Sequence, residues 1–210
     1  MKRPDRPFLV AITGGIASGK SIASKWFEDQ NFKVCYADMI GHNLFKEQHF
    51  INQIKEVFGK EVVIQNQVDR TQLGQIIFNS PDKRKQLNEL LHPEIRKRMQ
   101  KIIAESSDKI LIFEIPLLFE NQLQTAFDLT VNVSANKDLR IKRIIARDKI
   151  NRELSKKRID SQLPENEKQK LADINITNNE DIDNLHLQLN QLVELINKSE
   201  KKAVKKLSNL

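Results

Sequence analysis

The sequence predicts an α/β fold in which helices cover both faces of a five-stranded parallel sheet. Short apolar runs of four to seven residues alternate along the chain with segments of helical periodicity, as the strands and helices of such a fold do. One run, at 110–113, is apolar at every position, which is typical of a central parallel strand because both of its faces are buried. The predicted strands are 8–13, 33–37, 109–115, 129–134 and 174–177.

The segment that follows the first predicted strand is rich in glycine and ends in a lysine and a serine. It matches the phosphate-loop pattern G-x-x-x-x-G-K-[ST], in which glycines let backbone N–H groups approach phosphate oxygens. In this pattern Lys20 reaches the β- and γ-phosphates, and the Ser21 hydroxyl binds Mg²⁺. A plain glycine turn is the alternative, but the strand before the segment and the helix from Ile22 onward favour a P-loop NTPase-type three-layer sandwich. The loop residues are Gly14, Gly15, Ile16, Ala17, Ser18, Gly19, Lys20 and Ser21.

A long segment between the second and third predicted strands has no clear strand pattern. It spans about 70 residues, and its leucines and isoleucines recur at helical spacing. Proline follows Ser80 and His92, and we expect each of these prolines to begin a helix. The segment is too long for a simple crossover, so we expect an inserted helical substrate domain. The single P-loop kinase domain, 1–210, then comprises a nucleotide-binding core at about 1–38 and 108–197, this helical insert at about 39–107, and a basic tail at about 198–210.

Basic residues follow the fourth predicted strand in a helical pattern. Arg140, Arg143 and Arg147 are spaced three and four residues apart, so they share one helix face. A solvated charged face is the ordinary explanation of such a stripe. We favour a helical lid at about 140–165, because the transition state of phosphoryl transfer needs cations around the equatorial oxygens. The other basic residues of this segment are Arg152, Lys156, Lys157 and Arg158.

Three carboxylates come at or shortly after the ends of predicted strands, where ligands bind in open α/β sheets. Asp38 can accept a proton from an attacking hydroxyl, orient that hydroxyl or help to hold Mg²⁺ through water. It can equally be the N-cap of a helix, and the sequence leaves both interpretations open. Glu114 ends the third predicted strand and can join the outer shell of the metal ion. We expect Glu120, six residues later, to be solvated at the surface.

Composition limits the classes of function. The net charge is +7, and five lysines with one glutamate lie between 198 and 206. We expect this run to be a solvated helix end or a frayed terminus. No base-stacking pattern of aromatic residues accompanies it, so we expect small polyanionic ligands rather than nucleic acid. We expect Trp26 to pack the first helix onto the sheet and Cys35, the single cysteine, to lie in a buried strand.

The distribution of apolar residues bears on the location of the protein. No apolar stretch reaches the roughly 20 residues that a membrane helix needs. The N-terminal residues are polar and lack the apolar core of a signal peptide. We therefore expect a cytoplasmic protein with no membrane partner.

The chain resembles the dephospho-coenzyme A kinase family over about residues 8–180. Its phosphate loop has the family's form, and Ile115-Pro116-Leu117-Leu118-Phe119-Glu120 is the most distinctive of the later motifs. The joint order of the motifs is far more specific than any one of them. The others are Ala37-Asp38, Phe58-Gly59, Asp69-Arg70-x-x-Leu73-Gly74-x-x-x-Phe78, His92-Pro93-x-Ile95, Arg143-x-x-x-Arg147-Asp148, Arg158-Ile159-x-x-Gln162 and Ala172-Asp173, ending at Asn178.

The resemblance implies a reaction and a set of roles. The enzyme would transfer the γ-phosphoryl of ATP to the ribose 3′-hydroxyl of dephospho-CoA, which is the last step of coenzyme A biosynthesis. Asp38 would be the base or the orienting group for that hydroxyl. Arg143 and Arg147 would be lid residues over the phosphates, and Asn178 would lie near the adenine. The acceptor site would be lined by Leu73, Phe78, His92, Pro116 and Leu117.

A few positions depart from the family's usual pattern. Ile22 stands where threonine is usual, whereas Tyr36 and Glu114 stand where aspartate is frequent. Asn175 lies in the last strand where an aliphatic residue is usual, which argues against full burial of that strand. Two rival functions stay open: another small-molecule P-loop kinase with a nucleoside or nucleoside monophosphate acceptor, and a nucleotide-switch or nucleic-acid-binding ATPase that uses the basic tail.

Overall fold

The five predicted strands form one parallel sheet in the computed structural model, which describes residues 6–207. Two further strands, which the sequence pattern does not predict, form a separate small hairpin. The strands in chain order are β1 (Phe8–Thr13), β2 (Lys33–Tyr36), β3 (Val63–Ile64), β4 (Gln67–Val68), β5 (Ile110–Glu114), β6 (Leu129–Ser134) and β7 (Ile174–Thr177). The order across the large sheet is β2-β5-β1-β6-β7.

Helices occupy most of the connections between these strands. In the described part of the chain they are α1 (Lys20–Asp29), α2 (Ala37–Leu44), α3 (Gln48–Phe58), α4 (Arg70–Asn79), α5 (Pro81–Glu105), α6 (Lys137–Asp148), α7 (Arg152–Asp160), α8 (Glu165–Leu171) and α9 (Ile182–Lys198). Two short 3₁₀ turns lie at Lys60–Val62 and Gln124–Ala126. None of these helices, within residues 6–207, combines the length and the apolar character of a membrane span.

The central strand β1 is buried along its whole length. It pairs with β5 on one side and with β6 on the other, so both of its faces are left for helices to cover. Trp26 and Phe27 of α1 belong to the core cluster on one face and meet edge to face, with ring centroids 5.1 Å apart. Each such side chain contributes about 1.5–3 kcal/mol by leaving water. The predicted packing of Trp26 and the predicted burial of Cys35 in β2 are confirmed.

The last strand of the sheet is an edge strand and is only partly buried. Ile176 is its one buried residue, whereas Asn175 is exposed. The Asn175 amide donates to the backbone carbonyl of Gln169 at 2.9 Å and accepts from Asn132 at 3.2 Å. A polar residue in place of an aliphatic one is therefore accommodated by hydrogen bonds, and the departure noted in the sequence does not remove the strand.

The backbone of the basic C-terminal run is fixed to the segment before β6, so the expectation of a frayed terminus is wrong for the part up to residue 207, whereas the expected solvation of its lysine side chains is confirmed. The backbone N–H of Lys202 donates to Asp128 at 2.6 Å, and that of Lys205 donates to the Thr125 carbonyl at 2.9 Å. Leu207 is 1% exposed. The lysine side chains stay in solvent while their backbone is fixed, and residues 208–210 of the predicted tail lie outside the described residues.

The structure divides into two compact units, of which the helical one is Ala37–Ile102. Its own core is an apolar cluster that unites α2, α3, α4 and the first half of α5. The helix α4 begins with Asp69 as its N-cap, whose carboxylate accepts from the N–H groups of Thr71 and Gln72 at 2.9 and 3.1 Å. The buried members of the cluster are Leu44, Phe50, Ile54, Phe58, Val62, Leu73 and Leu87.

Two local predictions for this segment are wrong. Pro81 begins α5 as expected, but Pro93 does not begin a new helix, because α5 continues through it to Glu105. Proline removes one helical hydrogen bond there, and a 25-residue helix tolerates that loss. The hairpin β3–β4 was not expected either; its turn residues Gln65 and Asn66 both have positive φ, at 47° and 62°, which is typical of a tight two-residue hairpin turn.

Candidate active site

The phosphate loop depends on two glycines with backbone conformations that other residues rarely adopt. Gly14 has φ +149°, and a Cβ on it would lie 2.1 Å from the carbonyl oxygen of Val133 in β6. Gly19 has φ +106°, and a Cβ on it would lie 2.0 Å from the side-chain nitrogen of Asn178. At both positions the backbone has a φ that favours glycine, and a neighbouring atom occupies the space of a Cβ. The loop therefore has this shape only with glycine at its two ends.

Lys20 begins α1 and turns back over the loop. Its side chain is buried, and Nζ donates to the carbonyl oxygens of Gly14 and Gly15 at 2.8 and 3.2 Å. The loop is closed further by a backbone hydrogen bond from Ser18 to Gly15 at 3.1 Å. A cation is thus held inside the loop and next to the N-terminus of a ten-residue helix, an arrangement that favours an anion at this point.

Ser21 and Glu114 form the second part of the site. Glu114 ends β5 opposite Ile12 of β1 and Tyr36 of β2, and it is only 7% exposed. The Ser21 hydroxyl donates to Glu114 Oε1 at 3.1 Å. Glu114 Oε2 is buried and accepts no hydrogen bond within residues 6–207. A buried carboxylate oxygen without a donor is costly, and an oxygen-preferring divalent cation such as Mg²⁺ fits beside it.

A metal ion at this position would take few ligands from the protein. Within the described residues no three His, Cys, Asp or Glu side chains cluster in a way that could hold a metal by themselves. Mg²⁺ usually binds through one or two protein oxygens, substrate phosphates and water, which is the situation that a serine hydroxyl and one carboxylate provide. The donor set therefore fits Mg²⁺ bound together with a nucleotide.

Two arginines of α6 contact the phosphate loop. Arg143 donates to the carbonyls of Ala17 and Ser18 at 3.3 and 3.4 Å and to that of Asn178 at 3.1 Å. Arg140 is buried, and its Nε donates to the Ile16 carbonyl at 2.9 Å. The first two members of the basic stripe are therefore packed against the loop and are not on a solvated face.

The other arginines of this segment lie in ion pairs near the surface. Arg147 is paired with Asp148 at 2.7 Å, a hydrogen bond that raises the pKa of the arginine. Arg158 shares the same carboxylate at 2.5 Å. Arg152 is paired with Asp138 at 2.7 Å, with both side chains more than half exposed. Arg147, Arg152 and Arg158 thus lie near solvent and pair with carboxylates. Arg140 and Arg143 instead have specific partners in the phosphate loop.

Asn178 also belongs to the loop's surroundings. It follows β7, is 4% exposed, and donates from Nδ2 to the Ser18 carbonyl at 2.9 Å. Its backbone N–H donates to the Ser134 carbonyl at 2.8 Å. The residue therefore ties the loop to the ends of β6 and β7, a role in addition to the nucleotide contact that the sequence suggests.

Glu120 is not solvated at the surface, and that expectation is wrong. Its Oε1 accepts from the backbone N–H of Leu163 at 3.1 Å and lies 2.7 Å from Nζ of Lys168, whose side chain is fully buried. The amine and the carboxylate meet as an ion pair outside hydrogen-bond geometry. The segment 116–120 is thereby fixed to the loop before α8 and to α8 itself. No local signal could reveal this, because the partners are 43 residues or more away in the sequence.

The predicted acceptor residues differ in what they offer to a ligand. Phe78 is 87% exposed and Leu117 is 40% exposed, so both present apolar surface to solvent. Pro116 accepts from the Thr13 hydroxyl through its carbonyl at 3.3 Å. Leu73 is 3% exposed and packs in the core of the helical unit, so its predicted role as a contact residue is corrected to one of packing.

Two histidines of the helical unit stand in different surroundings. His92 is partly buried, and this burial, together with the charge of Arg96, lowers its pKa. Nδ1 of His42 accepts a hydrogen bond from the Arg70 guanidinium at 2.7 Å. The guanidinium of Arg70 also lies over the ring of Phe45, 6.0 Å from its centroid.

Asp38 lies in the first turn of α2 and is exposed. Because α2 begins at Ala37, the aspartate is inside the helix and the N-cap interpretation is wrong. Tyr36, two residues earlier, has its pKa raised to about 12 by burial and by the neighbouring carboxylates of Glu28, Glu114 and Asp29. The phenol is therefore neutral at physiological pH.

Comparison with known proteins gives a consistent result. The sequence profile of the dephospho-CoA kinase family matches residues 8–184. The dephospho-CoA kinase of Fusobacterium nucleatum is 36% identical over 90% of this chain and 98% of that protein. The dephospho-CoA kinase of Oceanobacillus iheyensis is 38% identical over 89% of this chain and 96% of that protein.

Solved structures agree with the sequence comparison. Dephospho-CoA kinase from Campylobacter jejuni superimposes with a TM-score of 0.70 at 31% identity, covering 90% of this chain and 97% of that one. A Thermus thermophilus protein superimposes with a TM-score of 0.80 at 28% identity over the same shares. Shikimate kinase from Acinetobacter baumannii, at 12% identity and a TM-score of 0.54 over 94% and 97% of the chains, shares the fold.

Proposed function

Because the chain belongs to the dephospho-CoA kinase family, we propose how its own residues perform that family's reaction. The chain is an ATP-dependent kinase that phosphorylates the 3′-hydroxyl of dephospho-CoA in coenzyme A biosynthesis. In this transfer the hydroxyl oxygen bonds to the γ-phosphorus, the bond from that phosphorus to ADP breaks, and the hydroxyl loses its proton. The residues must therefore hold phosphates, neutralise charge and direct one hydroxyl.

The observation that carries the proposal is the contact between Ser21 and Glu114 next to the phosphate loop. The hydroxyl meets one carboxylate oxygen at 3.1 Å, and the other carboxylate oxygen is buried without a donor in the described residues. We assign Ser21 as the protein ligand of Mg²⁺ and Glu114 as a carboxylate that holds the ion directly or through water. Mg²⁺, when bound, neutralises the charge of the β- and γ-phosphates and of the leaving ADP.

Residues 14–22 form the proposed binding segment for the phosphates of ATP. Backbone N–H groups of the loop and of the first turn of α1, which Ile22 continues, donate to phosphate oxygens. Those of Ile16, Ser18 and Ile22 already donate to Gln162, Gly15 and Gly19, so the phosphates take other N–H groups of the segment. Lys20 now donates to the carbonyls of Gly14 and Gly15, and in the complex its ammonium exchanges these for the β- and γ-phosphates. Its role is to stabilise the charge that moves from the γ-phosphoryl to ADP during transfer.

Asp38 is the proposed partner of the 3′-hydroxyl. Its exposure leaves it accessible, and the neutral Tyr36 offers no competing base at the end of β2. A carboxylate at this point accepts a hydrogen bond from the hydroxyl and takes its proton as the bond to phosphorus forms. A loose transition state requires little activation of the nucleophile, so orientation supplies the larger part of its effect.

Arg143 and Arg147 are the proposed cations over the transferring group. Arg143 is already fixed to the loop through Ala17, Ser18 and Asn178. Arg147 is exposed and paired with Asp148, so it reaches a phosphate by exchanging one anionic partner for another. Such cations stabilise the charge on the equatorial oxygens of the transferring phosphoryl. We propose the segment 140–165 as the lid that carries them.

We propose acceptor contacts from Phe78 and His92 of the helical unit and from Pro116 and Leu117 in the segment after β5. Exposed apolar surface at Phe78, and at Leu117 beside Pro116, suits the apolar parts of an extended substrate. His92, whose pKa is lowered by burial, is neutral at physiological pH and can donate or accept one hydrogen bond. We further propose a cytoplasmic location, which a metabolic substrate such as ATP and the single buried thiol support.

An acceptor panel tests the function and the roles together. We expect ADP formation from Mg-ATP with dephospho-CoA and not with adenosine, AMP or CMP, with coenzyme A identified by mass. The Lys20→Ala change should lower turnover with every acceptor, and Asp38→Asn should lower kcat by roughly 100-fold or more at a nearly unchanged KM for ATP. Turnover with another acceptor alone would contradict the substrate, and normal kcat in Asp38→Asn would contradict the role of the aspartate.

A further inference from the structure

The tip of the phosphate loop is held through both backbone groups of a single residue. The N–H of Ile16 donates to Gln162 Oε1 at 2.8 Å, and the carbonyl of Ile16 accepts from Arg140 Nε at 2.9 Å. These two side chains are 146 and 124 residues away along the chain. Gln162 lies between α7 and α8, and Arg140 lies on α6. The segment from α6 to α8 therefore binds both the N–H and the carbonyl of Ile16.

Arg140 is itself fixed in place, so it can act as a rigid support. Its side chain is 5% exposed and pairs with Glu165 at 3.1 Å. It also occupies the space in front of Gly15, where a Cβ would lie 2.3 Å from a terminal guanidinium nitrogen. The absence of a side chain at this second glycine of the loop therefore lets the arginine reach the Ile16 carbonyl.

Apolar packing also holds Ile16 and its neighbour Ala17 in place. Ile16 and Ala17 pack against the small core cluster of Ile141, Ile144 and Ile159, which joins α6 to α7. Ala17 has φ +60°, a left-handed conformation that a residue with a Cβ keeps only when its surroundings hold it there. The two hydrogen bonds that fix Ile16 are immediately next to this strained residue, so they help to hold Ala17 in its left-handed conformation.

We propose that Gln162 and Arg140 are positioning residues that hold the Ile16–Ala17 tip in the shape that binds the phosphates of ATP. This inference rests on the proposed function of residues 14–21 as the phosphate site. Gln162 acts through the backbone of the loop and not through the substrate. Its contribution therefore falls on nucleotide affinity, while the affinity for dephospho-CoA stays independent of it.

Gln162 is the better of the two residues to change, because Arg140 is buried in an ion pair and its loss threatens folding. The Gln162→Met change removes the acceptor at similar side-chain length, and Gln162→Glu restores an acceptor oxygen. Gln169→Met is the matched control, since Gln169 is an exposed glutamine on α8. For each variant we would measure the Kd of ADP by calorimetry, KM for ATP and for dephospho-CoA, kcat, and the melting temperature.

We expect Gln162→Met to raise the Kd of ADP and KM for ATP by about tenfold, since it leaves the Ile16 N–H without its partner. KM for dephospho-CoA should stay within about twofold of the wild type, and Gln162→Glu should recover most of the lost affinity. Gln169→Met should behave as the wild type in every measurement.

Two results would overturn the inference. The first is an unchanged Kd of ADP in Gln162→Met. The second is an equal rise of both KM values with a lower melting temperature that Gln162→Glu fails to recover, which would indicate general support of the fold. Lys20→Ala separates the two proposals: wild-type ADP binding and turnover in that variant would refute the phosphate site itself, whatever Gln162 does.

Discussion

A stability prediction with a defined magnitude concerns Asp128, which joins the two ends of the described chain. Its carboxylate is fully buried and accepts from the backbone N–H groups of Leu9 and Lys202, at 2.8 and 2.6 Å, and from two nitrogens of Arg6. The Arg6 side chain is 10% exposed, and it also donates to the Lys202 carbonyl at 2.9 Å. The change to make is Asp128→Asn, which keeps the shape and removes the charge.

The expected loss in the free energy of unfolding has two causes, because the asparagine amide lacks one acceptor oxygen and the negative charge of the aspartate. One oxygen becomes an NH₂ group that faces a donor, and a buried donor left without an acceptor costs about 1–3 kcal/mol. The same change leaves Arg6 without its counter-charge, and breaking a buried ion pair costs about 3–5 kcal/mol. The two costs overlap because they concern one group, so we expect a loss of about 3–4 kcal/mol. For a chain of this size that corresponds to a fall in Tm of about 10 °C.

Urea titration followed by circular dichroism measures this loss, with Asp160→Asn as the control. Asp160 is paired with Lys137 at 2.6 Å, but both side chains are more than half exposed, so the control should change stability by no more than about 0.5 kcal/mol. None of the hydrogen bonds of Asp128 involves the phosphate loop, so KM for ATP should stay at its wild-type value in both variants. A loss below about 1 kcal/mol in Asp128→Asn would refute the reasoning.

Three further changes test separate parts of the molecule. Glu114→Gln should shift the Mg²⁺ concentration for half-maximal activity upward by about tenfold with little effect at saturating Mg²⁺; an unshifted Mg²⁺ titration would contradict the metal assignment. Gly19→Ala should abolish nucleotide binding, because its Cβ would lie 2.0 Å from the Asn178 amide at φ +106°; the control Gly74→Ala, where no atom lies within 4 Å of the added Cβ, should bind ADP normally. His92 has a lowered pKa in the folded state, so the unfolded state binds more protons and stability should fall as pH decreases through the unfolded pKa near 6.5; His92→Gln should flatten this fall between about pH 7 and 5, and an equally steep fall in the variant would assign it to other groups.

The parts of the fold that sequence reasoning predicted are those with a local signal. The strands Phe8–Thr13, Leu129–Ser134 and Ile174–Thr177 have the predicted bounds, because each is an apolar or alternating run with clear ends. The second strand ends one residue early, at Tyr36, because α2 begins at Ala37 without a connecting loop. The eight-residue motif likewise located the phosphate loop, since its glycines and lysine are needed within the loop itself.

The parts that sequence reasoning missed depend on partners far along the chain. A glutamate after an apolar segment is solvated in most proteins, and only the fold shows that Lys168 is buried beside Glu120. A run of lysines is ordinarily a free end, and only the buried carboxylate of Asp128 explains why the backbone of Lys202 is fixed. The continuation of α5 through Pro93 was missed for the same reason. The lost hydrogen bond at one proline is a local cost that the sequence shows, whereas the packing that stabilises a 25-residue helix involves residues far along the chain.

The phosphate loop shows most clearly where local information ends. Its motif specifies the glycines, but Ala17 stands in the left-handed region at φ +60°, which alanine does not favour by itself. The conformation is supported by Arg143 on the carbonyls of Ala17 and Ser18, by Asn178 on the carbonyl of Ser18, and by Gln162 on the N–H of Ile16. These supports come from three separate later segments of the chain. The motif therefore identifies the site, whereas the shape that binds phosphate is a property of the whole nucleotide-binding unit, and the loop transplanted alone onto another strand and helix should lose most of its affinity for ADP.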